Sequence, residues 1–333
     1  MTGAYEIIVK NRRVQYKFTI NRNITILKGD SATGKTTLIE MISAYQRNGE
    51  KSGIQLSCKK NCVVLDELNW ELNLSKISDS IVFIDEGSPF ITSQDFAQAA
   101  KKSDNYYVIA TRTNLYNIPY STKEIYGIKN ASQNRYQGTK QIYNEFYPLY
   151  DKITSARIKP ELIIVEDSKS GYEFFSAICK KNGIDCESAD GKSNIYKKLL
   201  ASTKDNVLVI ADGAAFGSEI EDVLEISHIK NLGIYLPESF EWLVLKANLM
   251  NDGDVNKILE QPSAYIESAD YFSWEIFFTK LLMDKTHGTY LSYTKKELNP
   301  AYLQDKESKA ILSVMPEEMQ SEFEITNALP KSI

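Results

Sequence analysis

Histidine and cysteine are scarce in this 333-residue chain: there are two histidines, His228 and His287, and four cysteines, Cys58, Cys62, Cys179 and Cys186. The histidines form no helical pair. Cys58 and Cys62 have no second Cys or His pair nearby to complete a tetrahedral zinc site, so a dedicated transition-metal centre is not expected. The four thiols are expected to be reduced. No apolar run approaches the roughly 20 residues that span a bilayer. The opening Met1-Thr2-Gly3-Ala4-Tyr5-Glu6 has no basic stretch leading into an apolar one, so no secretory leader is expected. These absences predict a cytoplasmic protein with no membrane partner. Arginine is missing after Arg157. Residues 1–150 carry 19 Lys and Arg against 14 Asp and Glu, whereas residues 151–333 carry 20 against 30. The acidic second half lacks the basic footprint of an autonomous DNA-binding domain. There is no repeat and no low-complexity tract.

What is present is a soluble-globular composition, 43% hydrophobic and 25% charged, enough for two domains with cores. Residues 5–9 and 15–20 read as a β-hairpin. Short apolar runs follow at 24–27, 62–65, 81–84, 106–110 and 124–128. Longer amphipathic stretches lie between them, with helices expected over 36–45 and 93–101. Strands alternating with crossovers predict an α/β fold with a parallel sheet. The polar run Asn130-Ala131-Ser132-Gln133-Asn134 and the Tyr-rich stretch 143–150, with Pro148, break the rhythm, so a boundary is expected near 150–158. The rhythm then restarts. Strands are expected at 162–165, 207–210 and 232–236, with helices over 171–181, 191–201 and 218–226. From Ser239 the pattern is helical, over 240–250 and 271–283, and the tail after Met315 is polar and acidic. The expected domains are 1–150, 158–240, and a mostly helical region 241–333 packed on the second.

Gly29-Asp30-Ser31-Ala32-Thr33-Gly34-Lys35-Thr36 fits G-x-x-x-x-G-K-[ST] at every fixed position, between an expected strand and an expected helix. Glycines let successive backbone N–H groups turn toward phosphate oxygens, and the helix N-terminus adds partial positive charge. Residues 29–36, with Thr37, are the candidate nucleotide cradle. Lys35 would reach the β- and γ-phosphates and Thr36 would ligate Mg2+. Ile81-Val82-Phe83-Ile84-Asp85-Glu86 has the Walker B form. Asp85 is the candidate metal holder, and Glu86 the residue that orients the attacking water. Arg112, after the strand at 106–110, is a candidate for stabilising transition-state charge. Asp66-Glu67 are expected to cap a turn. The motif order resembles the RecA/AAA-like branch of P-loop ATPases, which implies ATP and Mg2+ as cofactors and ATP hydrolysis. There is no Leu-Ser-Gly-Gly signature of a complete ABC-type ATPase. Nor is there an Asn-Lys-x-Asp guanine motif, which favours ATP.

Two later strands also end in acids, at Glu166-Asp167 and Asp212, and such acids converge at the carboxyl edge of a doubly wound sheet. Converging carboxylates can share a divalent cation. The spacing resembles a Toprim domain, which implies Glu166 as acid/base and Glu166 with Asp212 at the metal. That family's second Asp is replaced by Ala214, and Glu238, Glu241 or Asp167 could compensate. Gly213 and Gly217 suit a tight turn near a ligand, and Lys192, Lys197 and Lys198 a basic face toward phosphate. The aromatic sets Tyr271, Trp274, Phe277, Phe278 with Leu281, and Phe240, Trp242 with Leu243 and Leu245, read as buried helix faces rather than base-stacking platforms. An ATPase followed by a Toprim-like module resembles, in module order, the OLD-class nucleases, several of them linked to phage defence. The resemblance implies an ATP-controlled, Mg2+-dependent nuclease acting on DNA or RNA. The alternative is a nucleotide-gated regulator whose acidic half binds a protein partner or a second copy of the chain.

Overall fold

The structure, a computed structural model, describes residues 1–29, 33–131, 141–150 and 158–320. Asp30, Ser31 and Ala32 of the cradle lie outside them. So do most of the polar run at 130–134, most of the 150–158 boundary and the tail beyond 320.

Predominantly apolar runs become strands buried on both faces, as interior parallel strands must be. This holds for β3 (Ile24–Leu27), β6 (Ser80–Ile84) and β7 (Tyr106–Ala110). With β5 (Asn61–Val64) and β8 (Ile125–Asn130) they form a parallel array in the order β8-β3-β7-β6-β5. The sheet is nevertheless mixed, not parallel throughout. The hairpin β1 (Tyr5–Lys10) and β2 (Val14–Ile20), the short β4 (Gln55–Ser57) and β9 (Ile142–Pro148) extend it to nine strands, β4-β1-β2-β9-β8-β3-β7-β6-β5. β9 is the Tyr-rich stretch expected to mark a boundary. It runs parallel to β2 and antiparallel to β8, with Pro148 at its last position, where a missing N–H is tolerated.

The two edge strands, β4 and β5, are joined by only three residues, Cys58-Lys59-Lys60. The sheet therefore bends round helix α1 (Lys35–Asn48), which packs against β1, β4 and β5. Leu38, Ile39, Met41 and Ile42 of α1 share one core with Ile7, Phe18, Phe83 and Val108. Phe18 and Phe83, from opposite halves of the sheet, meet edge to face at 6.5 Å. α2 (Trp70–Leu74) and α3 (Gln94–Lys102) form a second aromatic cluster, in which Trp70 stacks on Phe90 and meets the edge of Phe96. Ser93 caps α3 by accepting from the Phe96 N–H at 3.1 Å.

The chain divides into two compact units, Met1–Asp151 with Gln261–Ser273, and Lys152–Glu260 with Trp274–Ile333. Residues 261–273, assigned on sequence to the C-terminal helical region, thus belong with the first unit. The Gly3 N–H donates to Ser263 O (2.6 Å), the Ser268 N–H to Met1 O (3.0 Å), and Asn23 Nδ2 to Phe272 O (2.8 Å).

The second unit is built on a parallel sheet, β11-β10-β12-β13, from β10 (Leu162–Val165), β11 (Asp185–Ser188), β12 (Asn206–Ile210) and β13 (Asn231–Tyr235). Its helices are α4 (Ser170–Asn182), α5 (Ile195–Ala201), α6 (Ile220–Glu225), α7 (Phe240–Lys246), α8 (Gly253–Glu260), α9 (Trp274–Thr286) and α10 (Asp305–Leu312). α9 and α10 both pack on α7. The expected buried helix faces are present in part. Trp274, Phe278 and Leu282 are buried on α9, and Phe240, Leu243 and Leu245 on α7, whereas Tyr271 precedes α9 and sits in the first unit. Among the described residues no helix is long and apolar enough to cross a membrane.

A candidate nucleotide site and a second acidic edge

In the first unit the register aligns Leu27 with Ala110 and Ile84 with Ile109. Gly29, Thr111-Arg112 and Asp85-Glu86 therefore leave the sheet at the same, carboxyl edge, where α/β sheets bind ligands. The Thr111 N–H donates to Leu27 O at 3.1 Å, tying the end of β7 to the end of β3. Thr36 and Thr37, in the first turn of α1, are exposed, while Lys35 is 4% exposed. The Lys35 ammonium bonds to the Gly29 carbonyl and lies 3.4 Å from Thr33 Oγ1 and 3.9 Å from Glu86 Oε2. Arg112 grips the same carboxylate with two bonds, Nη2 to Oε1 at 2.7 Å and Nε to Oε2 at 3.2 Å. The Arg112 bonds hold the Glu86 carboxyl below its usual range, opposed by burial and aided by the Lys35 charge. Asp85 Oδ1 accepts from the Glu86 N–H at 2.8 Å.

Gly34 sits at φ +96°, a left-handed conformation that glycine adopts freely, and a Cβ there would lie 2.8 Å from Tyr16 Oη. The Tyr16 hydroxyl instead donates to the Gly34 carbonyl at 2.9 Å, and Thr37 and Asn144 hydrogen-bond to the same hydroxyl. Tyr16 and Asn144 belong to β2 and β9, so strands outside the β8-β3-β7-β6-β5 array anchor the start of α1 at Gly34. No local sequence signal marks either residue. Asp66 and Glu67 lie at the turn that leads into α2, whose N-cap residue Asn69 makes no side-chain cap bond. With Ile39, Ser43, Asp85 and Ser88 they line a cleft of about 420 Å³ beside α1.

In the second unit Val165 and Ile210 pair across β10 and β12, so Glu166 and Asp212 leave the sheet side by side. Glu166 Oε2 accepts the Asp212 N–H at 2.8 Å. Burial and the charge of Glu275 push the Glu166 carboxyl up to about 7 against the Asp212 N–H bond and the charge of Lys192. Burial also raises Asp212, with Glu275, Glu166 and Glu241 adding to it and Lys295 opposing. Two of these neighbours, Glu275 at the start of α9 and Lys295 further on, were not anticipated; they pair with each other. Burial pulls the Lys295 ammonium down, but Glu275, Glu241 and Asp212 outweigh it and hold the proton on. Lys192 bends inward to Ala215 O (2.7 Å) and Ser218 Oγ (3.0 Å). Lys198 pairs with Glu187 at 3.3 Å and Lys197 is exposed, so the three lysines do not present one basic face.

Several candidates here have structural duties. Asp167 accepts the N–H groups of Ser168, Lys169 and Gly171 at 2.8–3.1 Å, capping the entry to α4. Gly213 is required by a close chain approach, since a Cβ would lie 2.6 Å from Leu236 O. Gly217 is buried in a short 3-10 turn. Ala214 is 5% exposed and donates its N–H to Glu238 O at 3.3 Å. Glu241, 2% exposed, accepts from the Tyr293 hydroxyl at 2.8 Å. Among the described residues no three His, Cys, Asp or Glu side chains gather as a metal-binding group. Compared with known protein families, curated proteins and solved structures, the chain shows no match.

Proposed function

We propose that the first unit binds a nucleoside triphosphate, ATP in preference to GTP, together with Mg2+, and hydrolyses it. One observation carries this reading: Lys35, Arg112 and Glu86 converge at the edge where the phosphate-loop motif leaves β3 and α1 begins. The Thr36 hydroxyl, exposed in the first turn of α1, and Asp85 fit a cation that keeps most of its waters and uses few protein ligands. Bound Mg2+ would neutralise phosphate charge. Lys35 binds the β- and γ-phosphate oxygens, leaving its contacts to Gly29 and Glu86. Arg112 moves from Glu86 onto the γ-phosphate oxygens. Glu86, so released, orients the attacking water and accepts its proton. Lys35→Ala tests the reading. Nucleotide affinity, measured by titration calorimetry with ATP and Mg2+, falls by about 100-fold or more, the cost of removing a buried charged partner. An unchanged affinity sinks it.

For the second unit the geometry supports a nucleotide-gated contact module better than a Mg2+-dependent nuclease. Burial and neighbouring acids raise Glu166 and Asp212 away from the ionised form a cation needs, Lys192 and Lys295 are packed beside them, and buried Ala214 stands where a further metal ligand would be needed, so this edge does not fit the cation. The nuclease reading keeps one supporting observation, a Glu166 carboxyl raised into the range of a general acid/base. Incubating the protein with supercoiled and linear DNA, Mg2+ or Mn2+, and ATP separates the two. Cleavage by the parent chain that is lost in Glu166→Gln establishes the nuclease, and no cleavage leaves the contact module.

A further inference from the structure

The four cysteines, so sparse in the sequence, fall in two pairs, one in each unit. Cys58 and Cys62 flank the short link between the sheet's two edge strands. The Lys60 N–H donates to Cys58 Sγ at 3.4 Å, and the Lys60 carbonyl accepts from Cys62 Sγ at 3.8 Å, so both sulfurs sit against the peptide groups of one residue. The proximity of the two thiols lowers the Cys58 pKa and raises that of Cys62. In the second unit Cys179, on α4, and Cys186, on β11, lie on elements that pack together, and the neighbouring Cys186 thiol raises the Cys179 pKa. A left-handed Gly183 and the Ile184 N–H bond to Cys179 O (3.0 Å) fold the turn that brings them together. Each pair has the same division: one half-buried sulfur, Cys58 or Cys186, and one buried sulfur, Cys62 or Cys179.

We propose that Cys58–Cys62 and Cys179–Cys186 are two oxidation sites, each closing to an intrachain disulfide with hydrogen peroxide as the oxidant. The thiolate of the half-buried cysteine attacks one peroxide oxygen. The S–O bond forms as the O–O bond breaks, and the departing hydroxide takes up the thiol's proton to leave as water. The buried partner then attacks the sulfenic sulfur. The S–S bond forms as the S–O bond breaks, and a second water carries off the remaining thiol proton. Two thiols lose two electrons and two protons, and one peroxide is reduced to two waters. The first bond would clasp the two edges of the bent sheet, and the second would tie α4 to β11. Both close short loops, so the effect is local fixation more than global stability.

Peroxide treatment of the folded full-length protein, followed by alkylation and peptide mass mapping, tests this. Trypsin cuts after Lys59 and Lys60, and after Lys180 and Lys181, so each proposed disulfide joins two peptides that are separate in the reduced protein. The expected result is loss of all four alkylatable thiols and two joined peptide pairs, Cys58 with Cys62 and Cys179 with Cys186, both reversed by dithiothreitol. The chain oxidised in denaturant provides the contrast, because four cysteines can pair in about three ways and all should appear. In Cys58→Ser, Cys62 stays alkylatable while the second pair still closes. Four persisting thiols, sulfonic acids without joined peptides, or links between the pairs or between chains would each overturn the proposal.

Discussion

The two carboxyl edges are built on the same plan, acids following buried parallel strands, and reach opposite electrostatic outcomes. In the first unit two cations, Lys35 and Arg112, converge on a single carboxylate, Glu86, beside the open start of α1. In the second, Glu166, Asp212, Glu241 and Glu275 crowd round Lys192 and Lys295. The first edge has positive charge to offer a polyphosphate once Glu86 is displaced. The second satisfies its own cations and leaves carboxylate in excess, which repels a phosphate backbone. Strand topology places the acids; the side chains arriving from outside the strands decide what they can bind.

Glu86→Gln should give the largest effect separating the edges. Triphosphate turnover is expected to fall about 10²–10⁴-fold, the usual worth of a positioned general base, while calorimetry with ATP shows binding retained. If turnover survives, Glu86 is only a counter-ion for Arg112, and the first edge then resembles the second more closely. Next comes stability against pH. Glu166 has a raised pKa, so its contribution is intact below the unfolded carboxyl value of about 4.3 and is lost as pH rises through about 7. Glu166→Gln removes that loss. In urea unfolding the variant should exceed the parent by on the order of 1–3 kcal/mol above pH ~7.5 and match it near pH ~4. A variant no more stable at high pH would mean that Lys192 and Lys295 already compensate the ionised form. The smallest effect is expected for Tyr16→Phe. Losing its hydroxyl bond to Gly34 should cost about 1 kcal/mol in unfolding, with a modest loss of nucleotide affinity and no change in pH dependence.

Legibility followed distance along the chain. The G-x-x-x-x-G-K-T motif at 29–36 and the Asp85-Glu86 pair stand out because each is contiguous and ends a largely apolar, buried strand. The α/β class and the hairpin pairing of β1 with β2 came from local periodicity too. β9 could not, since its tyrosines and Pro148 look like a linker until β2 and β8 take up its backbone bonds. Glu275 and Lys295 lie more than 60 residues beyond Asp212 and carry no pattern relating them to it. Gly213 and Asp167 also have duties that no sequence pattern marks, a close chain approach and bonds at the start of α4. The sulfur pairing of Cys179 with Cys186 depends on a turn that sequence spacing alone does not specify.

The return of residues 261–273 to the first unit has a consequence for biosynthesis. Ser263, Ser268 and Phe272 receive or give bonds at Gly3, Met1 and Asn23, yet each is translated well over two hundred residues after its partner. At ribosomal speeds of about 5–20 residues per second, the opening hairpin waits many seconds for that strip. The first unit cannot finish assembling until the whole of the second unit's sheet has been translated. A nascent chain stalled near residue 150, or a fragment expressed to that point, would carry the complete phosphate-loop motif on a domain whose own covering strip does not yet exist.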